Sequence, residues 1–265
     1  MLDVTAYLWA GAALLLVATA FWIVSLVKDD VSIVDSVWSL MFLIAALAYL
    51  AAAEITGPRA LLVLGLVTVW ALRLSIYITW RNHGKPEDYR YQQIRANNEP
   101  GFRYKSFYIV FGLQGLLAWI IAVPLAVAIS GTGPLGLLDF AGVAIWLTGF
   151  VFESVGDWQL ARFKREAANR GKVLDSGLWA YTRHPNYFGD FAVWWGLYLI
   201  ALSAGGSWTI FAPLLMTALL LKVSGVALLE KDIAERRPAY ADYIHRTNAF
   251  FPGPRRALQI EESTS

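Results

Sequence analysis

The chain has 265 residues, 57% of them hydrophobic and only 16% charged, with a mean hydropathy of +0.50 and a net charge of +2. A soluble domain carries about 25% charged residues, so this composition excludes a single water-soluble core, and so small a charge gives no reason to expect nucleic acid as a partner. The absence of cysteine excludes disulfides, thiolate nucleophiles, cysteine-ligated zinc and iron–sulfur clusters, and His83, His184 and His245 lie too far apart in sequence to predict a metal site.

In chain order, apolar stretches of the length needed to cross a bilayer as helices predict spans at Tyr7–Val27, Val37–Ala53, Ala60–Trp80, Phe107–Ser130, Pro134–Trp158, Phe188–Ala204 and Trp208–Leu229. The fold class is therefore all-α: a polytopic integral membrane bundle of about seven transmembrane helices in one domain, residues 1–265. The first span contains the cleavage-like Ala18-Thr19-Ala20 but lacks a basic start, so it is expected to be retained.

Lys and Arg mark the cytoplasmic side of short loops. Arg81–Lys105, Arg162–Arg183 and the tail after Leu229 hold six each, 18 of the 22, which predicts the N-terminus outside and the C-terminus inside. Such charges also arise as plain topology signals and head-group contacts. Arg81–Lys105 is 25 residues and the whole connection between Trp158 and Phe188 is 29, and the two carry Tyr89, Tyr91, Tyr104, Trp179 and Tyr181; loops beyond about 12–15 residues are usually functional or disordered, and these read as functional.

Ionisable residues within spans are costly and mark candidate sites: Asp35, Arg73, Glu153, Asp157 and Lys222. Helix-to-helix pairing or snorkelling is the structural alternative. The densest polar packet is Ser176–Asp190, where Arg183, His184, Asn186, Tyr187 and Asp190 crowd donors, acceptors and charge just before a hydrophobic span. It suits a large polar ligand at the membrane surface, or an elaborate helix cap.

The run Arg183-His184-Pro185-Asn186-Tyr187-Phe188-Gly189-Asp190 resembles the signature of the membrane sterol reductases. With Val31–Trp38 early and Leu229-Glu230-Lys231 before the Tyr240–Phe251 tail, nearly the whole chain resembles the bacterial, DUF1295-like branch of the steroid 5α-reductase superfamily. The resemblance implies a helical bundle holding NADPH, with residues 107–256 carrying most of the cofactor site and a hydrophobic lipid or steroid entering from the bilayer. No Gly-x-Gly-x-x-Gly or P-loop pattern is present, so the phosphates would meet basic loops.

Carried over by position, the implied cofactor residues are Asp157, Lys164, Trp179, Arg183, His184, Asn186, Tyr187, Asp190, Asp232 and Tyr240. Asn186 corresponds to the nicotinamide-contacting asparagine, and Lys164 stands where the family has a phosphate-binding Arg. The family's catalytic Glu on the second span corresponds to Asp35. Its Tyr on the third span has no aligned counterpart, since Trp70 falls there, and Tyr77 is the nearest phenol downstream. The implied reaction adds hydride from NADPH to the β-carbon of an α,β-unsaturated lipid, while Asp35, kept protonated by burial or orienting a phenol such as Tyr77, stabilises the enolate oxygen. A rival comes from isoprenylcysteine carboxyl methyltransferases, which share Arg-His-Pro-x-Tyr and would place S-adenosylmethionine on Arg183 and His184. A transporter is a further alternative, but neither interrupted helices nor repeats are evident.

Overall fold

The computed structural model describes residues 3–223, 225–230 and 239–256; Asp232 lies outside them. The described residues form helices and no strand. In chain order these are α1 Val4–Lys28, α2 Ile33–Ala52, α3 Pro58–Asn82, α4 Tyr89–Asn98, α5 Phe102–Ile129, α6 Leu137–Arg165, α7 Pro185–Ser203, α8 Ser207–Val223, α9 Val226–Glu230 and α10 Ala239–Arg246.

Five of them, α1, α2, α3, α5 and α6, are long and apolar enough to cross a membrane. The chain is an integral membrane protein whose apolar faces contact lipid. The sixth and seventh expected spans are also helical, as α7 and the shorter α8.

Local chemistry sets the ends. Asp3 caps α1, its Oδ1 accepting from the amides of Thr5 at 2.8 Å and Ala6 at 3.1 Å. Pro58 opens α3 and Pro185 opens α7, where a missing N–H costs nothing. Within α5 a π-helical turn occupies Phe107–Gly112. α6 departs from expectation: it starts three residues later than read from hydropathy and continues through Arg165. At about 1.5 Å per residue its 29 residues span about 43 Å, so its basic last turn extends beyond a hydrocarbon layer of about 30 Å.

Where the sequence reads as one domain, the packing groups the chain into two compact units. The first holds the residues up to Ala141 with Leu197–Ala212; the second holds Gly142–Gly196 with the described residues from Pro213 onward. In the first, α1, α2, α3 and α5 pack around a core that includes Phe42, Trp70 and Phe111. One end is locked by a buried ion pair that hydropathy does not reveal. Arg59 Nε donates to Asp139 Oδ1 at 2.7 Å and Nη2 to Oδ2 at 3.0 Å, and Ser203 Oγ and the Gly136 amide also donate to Asp139 Oδ2.

The second unit is organised by glycines seven residues apart. A Cβ at Gly149 would stand 2.5 Å from Gly189 O, one at Gly189 would stand 2.4 Å from Glu153 N, and one at Gly196 would stand 2.6 Å from Gly142 O. Backbone thus meets backbone along α6 and α7, a packing that small residues alone permit.

Candidate functional site

The glycine seam brings the sequence-predicted residues of α6 and α7 together. Glu153 and Asp157 are buried on α6, and Asp190 is buried on α7. Asn186, on the first turn of α7, donates from Nδ2 to Asp157 Oδ1 at 3.2 Å, while its Oδ1 accepts from the Tyr187 amide at 3.1 Å. The asparagine is half-buried, so the bonds fix its amide plane while leaving it accessible.

Trp179 reaches the same stretch from the preceding loop, its indole Nε1 donating to Gly156 O at 3.1 Å. That loop turns at Gly177, where φ is +63°, a left-handed backbone conformation that favours glycine. Gln159 Oε1 then accepts from the Leu178 amide at 3.0 Å. Lys164 is exposed on the last turn of α6 beside exposed Arg162 and Arg165.

Arg183 and His184 both reach Glu230. Arg183 Nε and Nη2 donate to the two oxygens of Glu230 at 2.7 and 2.8 Å, and Nη1 donates to the carbonyls of Thr247 at 2.5 Å and Ile244 at 3.1 Å. His184 Nε2 meets Glu230 Oε1 at 2.9 Å, and its ring stacks on Tyr187 at 5.7 Å. Burial alone would raise the Glu230 carboxyl, but the hydrogen bonds and charges of Arg183 and His184 outweigh it and bring it down to about 2.

The clasp fastens a C-terminal strap, residues 239–256. Thr182 Oγ1 donates to Phe250 O at 2.8 Å, the Arg183 amide to Asn248 O at 2.9 Å, the Gly253 amide to Tyr181 O at 3.0 Å, and Tyr243 Oη to Trp179 O at 2.5 Å. Tyr240 is buried against Tyr243, ring centroids 5.3 Å apart. Phe250 and Phe251 pack edge-on against Phe188 and Phe191. Glu230 is the residue that sequence reasoning missed as a site member. A carboxylate closing an apolar run was its signal.

In the first unit Asp35 stands at the start of α2. Its Oδ2 accepts from Arg90 Nη2 at 2.8 Å and its Oδ1 from Tyr91 Oη at 2.5 Å. The phenol that Asp35 orients is therefore Tyr91, on α4 in the long loop, instead of the expected Tyr77. Tyr77 lies between the guanidinium groups of Arg73 and Arg81, 5.4 and 5.9 Å from its ring centre. Tyr91 Oη also accepts from Gln114 Nε2 at 3.1 Å.

Burial, followed by the charge and hydrogen bond of Asp35, pushes the Tyr91 phenol well above its ordinary range. It stays protonated at neutral pH. Arg90 is shared with Asp88, whose Oδ1 and Oδ2 accept at 3.0 and 3.1 Å. Glu87 meanwhile anchors the loop, accepting from the Val31 amide at 2.9 Å and from Arg95 at 2.9 and 3.0 Å.

Helices long and apolar enough to cross a membrane, with one polar cluster around Asp35 and another around Asn186, define a polytopic membrane protein. The family model described as "Protein of unknown function (DUF1295)" matches residues 21–247, and the chain belongs to that family. It is also similar to the uncharacterized protein C594.04c of Schizosaccharomyces pombe, with 28% identity over 274 positions covering 89% of this chain and 77% of the yeast protein. No solved structure matches the chain.

Proposed function

We propose that this protein is an NADPH-dependent membrane reductase of the steroid 5α-reductase type, reducing a carbon–carbon double bond conjugated to a carbonyl in a steroid or other hydrophobic lipid. The observation that carries the reading is the 3.2 Å bond between Asn186 and Asp157, with Trp179 fixed on the carbonyl of Gly156 beside them. Three residues that the family resemblance assigns separately to the cofactor converge within one unit. In this reading the basic loops face the cytoplasm of a bacterial inner membrane and the N-terminus lies outside.

The donor set fits a phosphorylated dinucleotide. A half-buried primary amide suits a nicotinamide carboxamide, and exposed Lys164, Arg162 and Arg165 suit phosphate oxygens. NADPH, when bound, supplies the hydride. Asp157 holds the Asn186 amide in the orientation that binds. Arg183, His184 and Glu230 act as positioning residues that fix the strap and, through Tyr243, the loop bearing Trp179. Their commitment to one another weighs against a role in holding S-adenosylmethionine.

The proton side falls to Asp35 and Tyr91. Tyr91 rests with its one O–H donated to Asp35, so it would serve a developing enolate oxygen by turning that O–H from Asp35 to the substrate, leaving the Asp35 carboxylate on Arg90. The test is NADPH consumption by the reconstituted protein against a panel of enone lipids, with Asp35→Asn and Tyr91→Phe beside it. Loss of an acid of this kind lowers turnover by about 10²–10⁴-fold. Unchanged turnover in both variants would remove the pair from the mechanism.

A further inference from the structure

The second unit closes on a loop that none of these roles uses. At its base the Arg256 amide donates to Arg246 O at 2.9 Å, and its turn carries Phe250 and Phe251, ring centroids 5.2 Å apart. Phe250 is buried, but Phe251 is 59% exposed although its ring packs against Phe188 and Phe191. Phe188 in turn meets Phe152 edge-on at 5.0 Å. Phe152 lies six residues before Trp158 on α6, about 9 Å along the axis into the apolar stretch. The uncovered face of Phe251 is therefore level with hydrocarbon instead of water, which is where an exposed phenyl ring is stable.

The base of the same loop is cationic. Arg255 Nη2 lies 3.0 Å and Arg246 Nη2 3.8 Å from Asp175 Oδ2, so two guanidinium groups share one carboxylate. Arg256 Nη2 donates to the neutral side-chain amide of Asn248, 3.2 Å from its Oδ1. Arg170 and Lys172 are exposed in the loop that leads to Asp175, and Asp242 is exposed on the first turn of α10. Residues 170–175 and 239–256 thus hold five cations against two carboxylates; Glu261 and Glu262 lie outside the described residues. Arg255 follows Phe251 by four residues, a reach of at most about 14 Å, so the arginines stand within reach of the head-group layer when Phe251 touches hydrocarbon.

We propose that the loop from Arg246 to Arg256 anchors the second unit to anionic phospholipid, with Phe251 in the edge of the hydrocarbon and Arg246, Arg255 and Arg256 on head-group phosphates. An aromatic tip beside a basic flank is the pairing that binds an anionic interface. Each guanidinium offers paired N–H donors to phosphate oxygens, and Asp175 neutralises only one of the two that share it. A zwitterionic head group brings its own ammonium into the cluster, which selects for lipids that lack one. The same strap holds the Trp179 loop through Tyr243 Oη and Thr182 Oγ1, so head-group binding steadies that loop as well. None of this depends on bound NADPH.

The test is hydrogen exchange of peptides covering residues 239–256 in the full-length protein, reconstituted in nanodiscs of phosphatidylcholine with or without phosphatidylglycerol. Exchange slowed by phosphatidylglycerol at least about fivefold, the effect of one engaged arginine, and restored by high salt, is expected. In Arg255→Gln with Arg256→Gln the ratio of the two rates should fall toward one. A substitution that merely loosens the strap speeds exchange in both membranes and keeps the ratio, so the ratio separates lipid binding from structural support. Should the double variant not fold, Arg256→Gln alone, which leaves both contacts to Asp175 in place, decides the matter by the same criterion. Equal exchange in the two membranes, or a wild-type ratio in the variants, would overturn the proposal. So would the same slowing by inorganic phosphate in phosphatidylcholine, which would make the cluster a site for a soluble anion.

Discussion

Gly189→Ala is the smallest change that strains the candidate cofactor site. The added methyl would stand 2.4 Å from Glu153 N, 2.5 Å from Gly149 O and 2.7 Å from Glu153 Cβ. Two of these atoms are backbone, so no side chain can swing aside. Moving Gly149 O from 2.5 Å to an ordinary 3.4 Å requires α6 and α7 to part locally by roughly 1 Å. The Asn186 to Asp157 bond, already 3.2 Å, lies one turn from that point and passes the 3.6 Å at which a hydrogen bond is lost. Overpacking of this kind costs about 1–3 kcal/mol, which for a chain of this size corresponds to a fall of about 2–12 °C in Tm. The assay is thermal unfolding of Gly189→Ala beside Gly133→Ala, where the methyl meets nothing within 4 Å. Equal stability of the two variants would refute backbone contact along the seam.

Three further outcomes follow from the ion pairs. Arg183→Ala leaves Glu230 without its bidentate partner and frees the strap, at a cost of about 3–5 kcal/mol; limited proteolysis should then cut within residues 239–256, and wild-type resistance would count against the clasp. Glu230 is depressed in the folded state to about 2 from an ordinary 4.5, so its contribution is complete above pH 4.5 and is lost as pH falls toward 2. Acid unfolding should show that dependence in the wild type and lack it in Glu230→Gln. At the other ion pair, Asp139→Leu alone should destabilise by about 3–5 kcal/mol, because it leaves Arg59 charged and buried, and adding Arg59→Leu should recover part of that loss in thermal unfolding.

The spans were legible because hydropathy over about 20 residues responds to the bilayer itself, and the expected stretches return as α1, α2, α3, α5, α6, α7 and α8 with shifted ends. α6 outran its hydropathy because Arg162, Lys164 and Arg165 continue the helix into water while ending the apolar signal. The heptad spacing of Gly142, Gly149 and Gly156 against Gly189 and Gly196 was present in the sequence, but glycine reads equally as flexibility until a partner helix is known. The candidate residues Asp35, Asp157, Trp179 and Asn186 were visible from type and motif. Their partners were not: Asp35 meets Tyr91 56 positions away, and Arg183 meets Glu230 47 positions away. Such separations are set by tertiary packing, which no local pattern encodes. For Tyr77, the guanidinium groups of Arg73 and Arg81 near its ring follow from i−4 and i+4 spacing on one helix and were legible in the sequence.

The most direct measurement is a titration of the detergent-purified protein with NADPH, and separately with S-adenosylmethionine, followed by thermal unfolding, since a ligand that binds only the folded state stabilises it. The reductase reading predicts saturable stabilisation by NADPH that is lost in Asn186→Ala and absent with S-adenosylmethionine. Stabilisation by S-adenosylmethionine alone, or by neither ligand, would contradict it.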